Sequence, residues 1–424
     1  MYCGGCLRDN ALVAALRKLG HQVTMVPLYL PLTLDEADQS AGTPVFFGGL
    51  NVYLQQKSAL FRAAPGWLRD LFASPRMLKW AAGKAAKTRA ADLGELTLSM
   101  LRGEAGNQAR ELEELIAWLK TQPPPDVVCL SNALLIGMVR RLKAEVRSPV
   151  ACALQGEDFF LDALPEPHRA ACWRTLAERA QAVDRFIAPS RYFGDLMRER
   201  LGLAAEKVRV VPNGINLEGY AAKSEVRSPK SEVESAGVPT LGFFARMCPE
   251  KGLDTLVEAY IRLRQRGRVG NLKLRVGGSC GPADTPFVNS LREKLGASGL
   301  LGEADFQPNL GHAGKVEFLR SLSVFSVPAR YGEAFGLYVI EAMAAGVPVV
   351  QPRVAAFPEL IEATGGGVLC APGDPQALAE AIEELLLDPA RAQALGEAGR
   401  RAVFDRFSAE AMARAVVQAC GELT

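Results

Sequence analysis

Two glutamates, Glu333 and Glu341, stand in E-x7-E spacing. They sit in YGEAFGLYVIEAMAAG, where an apolar stretch gives way to a glycine-bearing loop and then to helical spacing through Val339, Ile340, Ala342 and Met343. The amides of Phe335, Gly336 and Leu337 therefore fall at a helix N-terminus, where unsatisfied N–H groups and the helix dipole attract an anion. With one carboxylate on the loop and the other in the helix, the pair can address opposite ends of a ligand whose phosphates lie between them. Arg246 and Lys251, spaced R-x4-K, flank a turn that contains Pro249 and ends at Gly252, where another helix begins. A guanidinium and an ammonium brought together there bind a diphosphate through charge-assisted hydrogen bonds. Each of these residues alone would more often be half of a surface ion pair.

The elements that must position them read as alternating strands and helices. PPPDVVCLS, SPVACALQG, DRFIAPS and KVRVVPNG are buried strands in the first half, each followed by a helical stretch. TLGFFAR, LKLRVGG, FSVPA, VPVVQP and GGGVLCAP repeat the pattern in the second, so the expectation is an α/β chain with two parallel sheets built from right-handed βαβ units. The expected division is an N-terminal Rossmann-like domain over 1–220 with a basic helical insertion at 56–120, a polar linker at 221–239, a C-terminal domain over 240–407, and a terminal helix over 408–424 that packs back toward the first domain. An α/β domain of this type opens on an apolar strand, but here helical periodicity through Leu7, Leu12, Leu16 and Leu19 begins almost at Met1. The first strand is thus expected to be missing, with HQVTMVPLYLP as the next one.

Composition excludes several classes of protein. With 424 residues, 49% of them apolar and 23% charged, the chain is a globular one of about two domains. A net charge of +2 gives no overall attraction to nucleic acid, and no nucleic-acid partner is expected. Nine cysteines without regular spacing form no disulfide framework and fit a reducing cytoplasm; Cys3 and Cys6 read as packing residues in a turn rather than a metal or redox pair. No leader peptide and no apolar run long enough to cross a bilayer is visible. One local departure stands out: between Lys57 and Arg89 there are eight lysines or arginines against one acid, Asp70, interleaved with Phe61, Trp67, Phe72 and Trp80. Such a segment either packs as a solvated helical insertion or lies on an anionic membrane surface, which would place the protein at the inner face of a membrane.

GFFARMCPEKGLDTLVEAY, LRVGG, ARYGEAFGLYVIEAMAAGVPVV and FPELIEATGGGVLCAPGDPQALAEAIEELL together resemble the retaining glycosyltransferases of family 4, the glycosyl transferases group 1, over roughly Thr240 to Phe407. The first half is similar more loosely, through GGCLRDNALVAALRKLGHQVTMV, LQGED, APS and VVPNGIN. The resemblance implies a GT-B fold, two Rossmann-like domains facing across a cleft, and a nucleotide-diphosphate sugar as donor, with no further cofactor and no metal. It assigns Glu333 to the hydroxyls of the donor sugar and Glu341 to the ribose. Arg246 and Lys251 stabilise the departing nucleoside diphosphate, so that Arg246, Lys251 and Glu333 form the catalytic group. Gly4 and Gly5 resemble the glycine loop that approaches the donor phosphates, and His312 lies on the loop that passes the nucleotide base. Phe335, Gly336 and Leu337 complete the donor set, while Lys315 reads as a solvated residue at a helix start.

Gln155, Glu157 and Asp158 are the candidates for acceptor or sugar contact. Gln155 stands where many members of the family carry histidine, and its amide can form hydrogen bonds but cannot shuttle a proton near neutral pH. Asn213 and Gly214 shape the turn where the chain crosses between domains. The acceptor is expected to be a saccharide or a lipid-linked molecule. The competing readings are an inactive GT-B scaffold that binds a nucleotide sugar, and a sugar phosphorylase or epimerase on the same two domains. A nicotinamide dehydrogenase is weaker, because no G-x-G-x-x-G opens a strand-to-helix turn.

Overall fold

A computed structural model of the chain describes residues 4–28, 36–47, 90–221 and 238–423. The basic segment Lys57–Arg89, with Trp67 and Trp80, and nearly all of the expected linker lie outside these residues. The chain divides into two compact units. One comprises Met1–Ala15, Leu34–Ala37 and Pro212–Met412, and the other Leu16–Thr33, Asp38–Val211 and Ala413–Thr424, as far as each is described.

The second of these units is built on four short parallel strands, β1 (Val128–Leu130), β2 (Val150–Ala153), β3 (Arg185–Ala188) and β4 (Val208–Val210), hydrogen-bonded in the order of the chain. All four residues of β2 and of β3 are buried, which is why VACA, and FIA after Arg185, read as small and apolar runs rather than as an alternation. Helices Ala90–Arg102 and Ala109–Leu119 form the described part of the expected insertion. Arg185 at the start of β3 donates to the Ala419 carbonyl at 3.3 Å and to Glu422 at 2.5 Å, which fixes the end of helix Ala409–Gly421 to this sheet.

The expected strand at 22–30 is not one, in so far as residues 21–28 are described. A strand forms only where a neighbour completes its ladder, and these backbone groups are satisfied differently. Arg17 donates to the Val23 carbonyl, the Thr43 hydroxyl to the Met25 carbonyl at 2.9 Å, and the Phe47 amide to the Leu28 carbonyl at 2.7 Å.

The other unit holds a six-stranded parallel sheet of β5 (Thr240–Phe244), β6 (Lys273–Gly278), β7 (Ala304–Pro308), β8 (Val324–Phe325), β9 (Val349–Pro352) and β10 (Gly367–Cys370). Its order is β10-β9-β8-β5-β6-β7. Leu241, Phe243, Val276, Val324, Phe325, Val349 and Val350 are fully inaccessible at its centre. The sequence reading did not include β7. Its ADFQP lies at the sheet edge with no residue fully buried, so it carries no apolar run or clean alternation to betray it.

The strand order decides where chemistry can occur. From β5 the chain winds outward through β6 and β7, then returns to the other side of β5 for β8, β9 and β10. The loops that leave the carboxyl ends of β5 and β8 diverge at this reversal, and in open α/β sheets such a switch point is where a ligand finds room. Arg246 and Lys251 lie on the first of these loops, and Glu333 on the second.

Candidate active site

After β5 the chain makes a short 3-10 turn, Pro249–Lys251, and enters helix Leu253–Arg266 through Gly252. Gly252 has φ of +71°, and a Cβ there would collide with the Pro328 carbonyl oxygen, so only glycine lets the loop after β5 lie against the loop after β8. The Arg330 amide donates to the Glu250 carbonyl at 3.0 Å and joins the two loops directly. We predict that Gly252→Ala destabilises the protein by about 2 kcal/mol or more, through left-handed strain and the clash together. Thermal unfolding checks this; an unchanged midpoint would show that the loops do not depend on that contact.

This junction carries Lys251 to the carboxylate of the second loop. Its Nζ donates to Glu333 Oε2 at 2.6 Å and to the Tyr331 hydroxyl at 2.5 Å, and the Tyr338 hydroxyl donates to the same Glu333 oxygen at 2.8 Å. Burial by itself would push the Lys251 pKa down, but the Glu333 carboxylate and Tyr331 together hold it above the usual lysine range. Burial and the Glu333 charge push Tyr331 up to about 12, so the hydroxyl stays protonated beside the ammonium. Lys251 is thus charged at neutral pH, and its hydrogen bonds hold the Glu333 side chain in place.

Arg246 takes a different partner. Its Nε lies 3.2 Å from both oxygens of Asp284 and its Nη2 lies 2.9 Å from Oδ1. The Asp284 side chain is only 9% exposed while that of Arg246 is 58% exposed, so a buried carboxylate holds the plane of a guanidinium that still faces water. Burial raises the Asp284 pKa, but Arg246 and the Gly281 amide outweigh it and leave the carboxyl below its usual range. Sequence reasoning missed Asp284. Ahead of Thr285-Pro286 it reads as a residue at a helix start, and nothing local marks it as the partner of an arginine 38 positions earlier.

Glu341, in helix Leu337–Ala344, accepts from Lys315 Nζ at 2.6 Å. Lys315 is therefore not the solvated helix-start residue that the sequence suggested; its side chain and that of Glu341 are both largely buried. Tyr220 stands close by, fully buried, with its hydroxyl unpartnered among the described residues, and burial and the Glu341 charge push its pKa well above the ordinary value. His312 Nε2 lies 3.0 Å from the Glu218 carbonyl and its ring meets Tyr220 edge-on. The two glutamates of the E-x7-E segment thus each carry a lysine from another loop or helix.

Between them, Gly336 caps the helix with φ of +93°, where a Cβ would come within 3.0 Å of Phe357. Gly4 is the first residue of helix Gly4–Lys18, and a Cβ on it would meet Leu337 Cδ1 at 3.7 Å. Gly4 therefore brings the start of a second helix close to Leu337 at the start of helix Leu337–Ala344, and the first amides of a helix have no partner within it.

The other unit holds Gln155, Glu157 and Asp158. Gln155 Nε2 donates to the Ser131 carbonyl at 2.6 Å, and Glu157 accepts from the Ala133 amide at 2.8 Å and the Gln155 amide at 2.9 Å. Glu157 ties together the loops after β1 and β2, and burial raises its pKa despite those amides. Asp158 is partly exposed, and burial again raises its pKa. Among the described residues no group of three or more His, Cys, Asp or Glu side chains is arranged to hold a metal ion, and no helix is long and apolar enough to cross a membrane.

Comparison with known proteins defines the class. Residues 226–402 match the family described as glycosyl transferases group 1, and residues 94–218 match glycosyltransferase family 4. Among solved structures, the fold is similar to that of the Anabaena protein HepE in complex with UDP, with a TM-score of 0.62 at 18% identity over 76% of this chain and 84% of that one. It is also similar to sucrose-phosphate synthase from Thermosynechococcus elongatus, with a TM-score of 0.61 at 23% identity over 74% of this chain and 78% of that one. The D-inositol 3-phosphate glycosyltransferase 1 of Catenulispora acidiphila is 29% identical over 81% of this chain and 84% of its own length. An exopolysaccharide phosphotransferase of Streptomyces coelicolor is 29% identical over 53% of this chain and 22% of its own length, and the D-inositol 3-phosphate glycosyltransferase of Corynebacterium glutamicum 30% over 43% and 44%. The chain thus spans less than half the length of those last two relatives. With both family matches and two parallel sheets of the GT-B kind, the chain belongs to the glycosyl transferases group 1.

Proposed function

We propose that this protein transfers a sugar from a nucleotide-diphosphate sugar to an acceptor hydroxyl with retention of anomeric configuration. The observation that supports this best is the pair of ion pairs carried by the E-x7-E segment, Lys251 with Glu333 on the loop after β8 and Lys315 with Glu341 in the helix that follows it. An ammonium has three N–H donors, and Lys251 directs two of them to Tyr331 and Glu333. The third is left for a phosphate oxygen, and the outward-facing edge of the Arg246 guanidinium serves the same group. As the bond from the anomeric carbon to the leaving phosphate breaks, negative charge grows on the diphosphate, and fixed cations there lower the barrier. Glu333 orients the sugar and Glu341 anchors the ribose. The acceptor hydroxyl approaches from the face of the leaving phosphate; its oxygen forms the new bond to the anomeric carbon, and its proton passes to the phosphate oxygen. Arg246 and Lys251 supply the charge neutralisation, and the reaction so written requires no metal or further cofactor.

Acceptor-dependent release of nucleoside diphosphate from a panel of sugar donors tests the activity, and the anomeric coupling constant of the product by NMR tests retention. Failure to release diphosphate or transfer sugar from any donor would overturn the activity, and an inverted product would overturn the mechanism. The acceptor is proposed to lie at a membrane surface, on the strength of the eight cations between Lys57 and Arg89. Each cation near an anionic bilayer contributes about 1 kcal/mol. Wild type is expected to sediment with anionic but not neutral vesicles, and a variant with Lys79, Lys84 and Lys87 changed to glutamate is expected to stay in solution. Indifference to lipid charge would point to a soluble acceptor.

A further inference from the structure

Arg8 is a buried cation apart from Arg246, Lys251 and Lys315. It belongs to helix Gly4–Lys18 and is only 5% exposed, among the most buried charged residues of those described. A buried guanidinium is costly unless its donors meet acceptors or anions. Its described partners are two: Nη1 donates to Asp9 Oδ1 at 2.6 Å, and Nε donates to Asn213 Oδ1 at 3.2 Å, a neutral amide on the turn after β4. No described acceptor faces Nη2.

The position of Arg8 on the helix gives these donors a direction. Residues four apart share a helix face, and side chains lean toward the helix N-terminus. Arg8 therefore stands one turn beyond Gly4 on the face that meets Leu337, and its side chain leans back over the first turn. Two helix N-termini, each with partial positive charge, converge there. A further buried cation beside them is electrostatically adverse unless an anion joins the group, and the Asp9 carboxylate that pairs with Arg8 carries one negative charge against that cation and two helix ends.

We propose that Arg8 is a third cationic group of the diphosphate site, with Asn213 and Asp9 holding the guanidinium so that its free edge donates to phosphate oxygen. The inference rests on the proposed use of a nucleotide donor. It ties the GGCLR segment and the VVPNG turn, which are more than 200 residues apart, into one phosphate-binding device.

The test is calorimetry on the full chain. Wild type is first titrated with UDP, GDP and ADP, and the nucleotide that binds is then compared with its own nucleoside, which lacks phosphate. In Arg8→Met the diphosphate is expected to bind about 10-fold more weakly or worse, as for loss of a hydrogen bond to a charged group, while the nucleoside binds as in wild type. Equal losses for both ligands would make Arg8 a structural residue and overturn the proposal, as would unchanged binding of the diphosphate. Should Arg8→Met fail to fold, Arg8→Lys keeps the charge and removes the fork. That variant is expected to weaken the diphosphate a few-fold with the nucleoside unaffected, and binding equal to wild type would again refute the role. Wild type that binds none of the three nucleotides would instead defeat the underlying functional reading, and this inference with it.

Discussion

Lys251→Ala is expected to lower kcat by about 100-fold or more, the loss typical of removing one preorganised donor aimed at developing charge. The change removes the ammonium proposed to meet the leaving diphosphate, and it also strips Glu333 of its 2.6 Å partner and leaves a largely buried carboxylate to Tyr331 and Tyr338. Glu333 would then be less fixed, so the sugar as well as the phosphate loses its guide. Arg246→Ala is expected to act in the same direction with a smaller effect, because its guanidinium faces water and is screened. The double variant should lose less than the product of the two single losses, since both cations serve one leaving group. Single-turnover rates with saturating donor check this. Losses of only a few-fold, multiplying in the double variant, would mark both residues as peripheral.

The second large effect is a contrast between the two glutamates. Glu341→Ala is expected to weaken nucleoside diphosphate binding by about 10-fold to 100-fold, as for a charged hydrogen-bond acceptor, and to leave Lys315 buried without its carboxylate. Glu333→Ala should bind nucleoside diphosphate nearly as wild type but lose turnover of the sugar donor, because its carboxylate is held by Lys251 and Tyr338 on the loop ahead of the helix that carries Glu341. Calorimetry with diphosphate and with intact donor separates the two. If both variants bind both ligands like wild type, the assignment of the E-x7-E segment is wrong.

What the sequence by itself determined is whatever local periodicity and punctuation encode. Nine of the ten strands were readable as short apolar runs bounded by glycine and proline, and Gly336 before Leu337–Ala344 was readable as a helix start. The candidate residues Arg246, Lys251 and Glu333 were visible because each lies at or shortly after the end of such a run, and Glu341 because it stands in E-x7-E spacing from Glu333. Tertiary structure alone decided their partners. A local pattern marks a carboxylate or an ammonium but cannot say which distant charge will satisfy it. Pairing across long separations follows from the tertiary arrangement: strand order places the loops after β5 and β8 side by side and brings Lys251 to Glu333, and the helix that carries Lys315, between β7 and β8, meets the one that carries Glu341. The same holds for Asp284 beneath Arg246 and for Arg8 against Asn213. Residues 21–28 show the converse: their apolar pattern suits a strand, but a strand exists only where another strand meets its backbone, and here an arginine, a threonine and a single amide take that place.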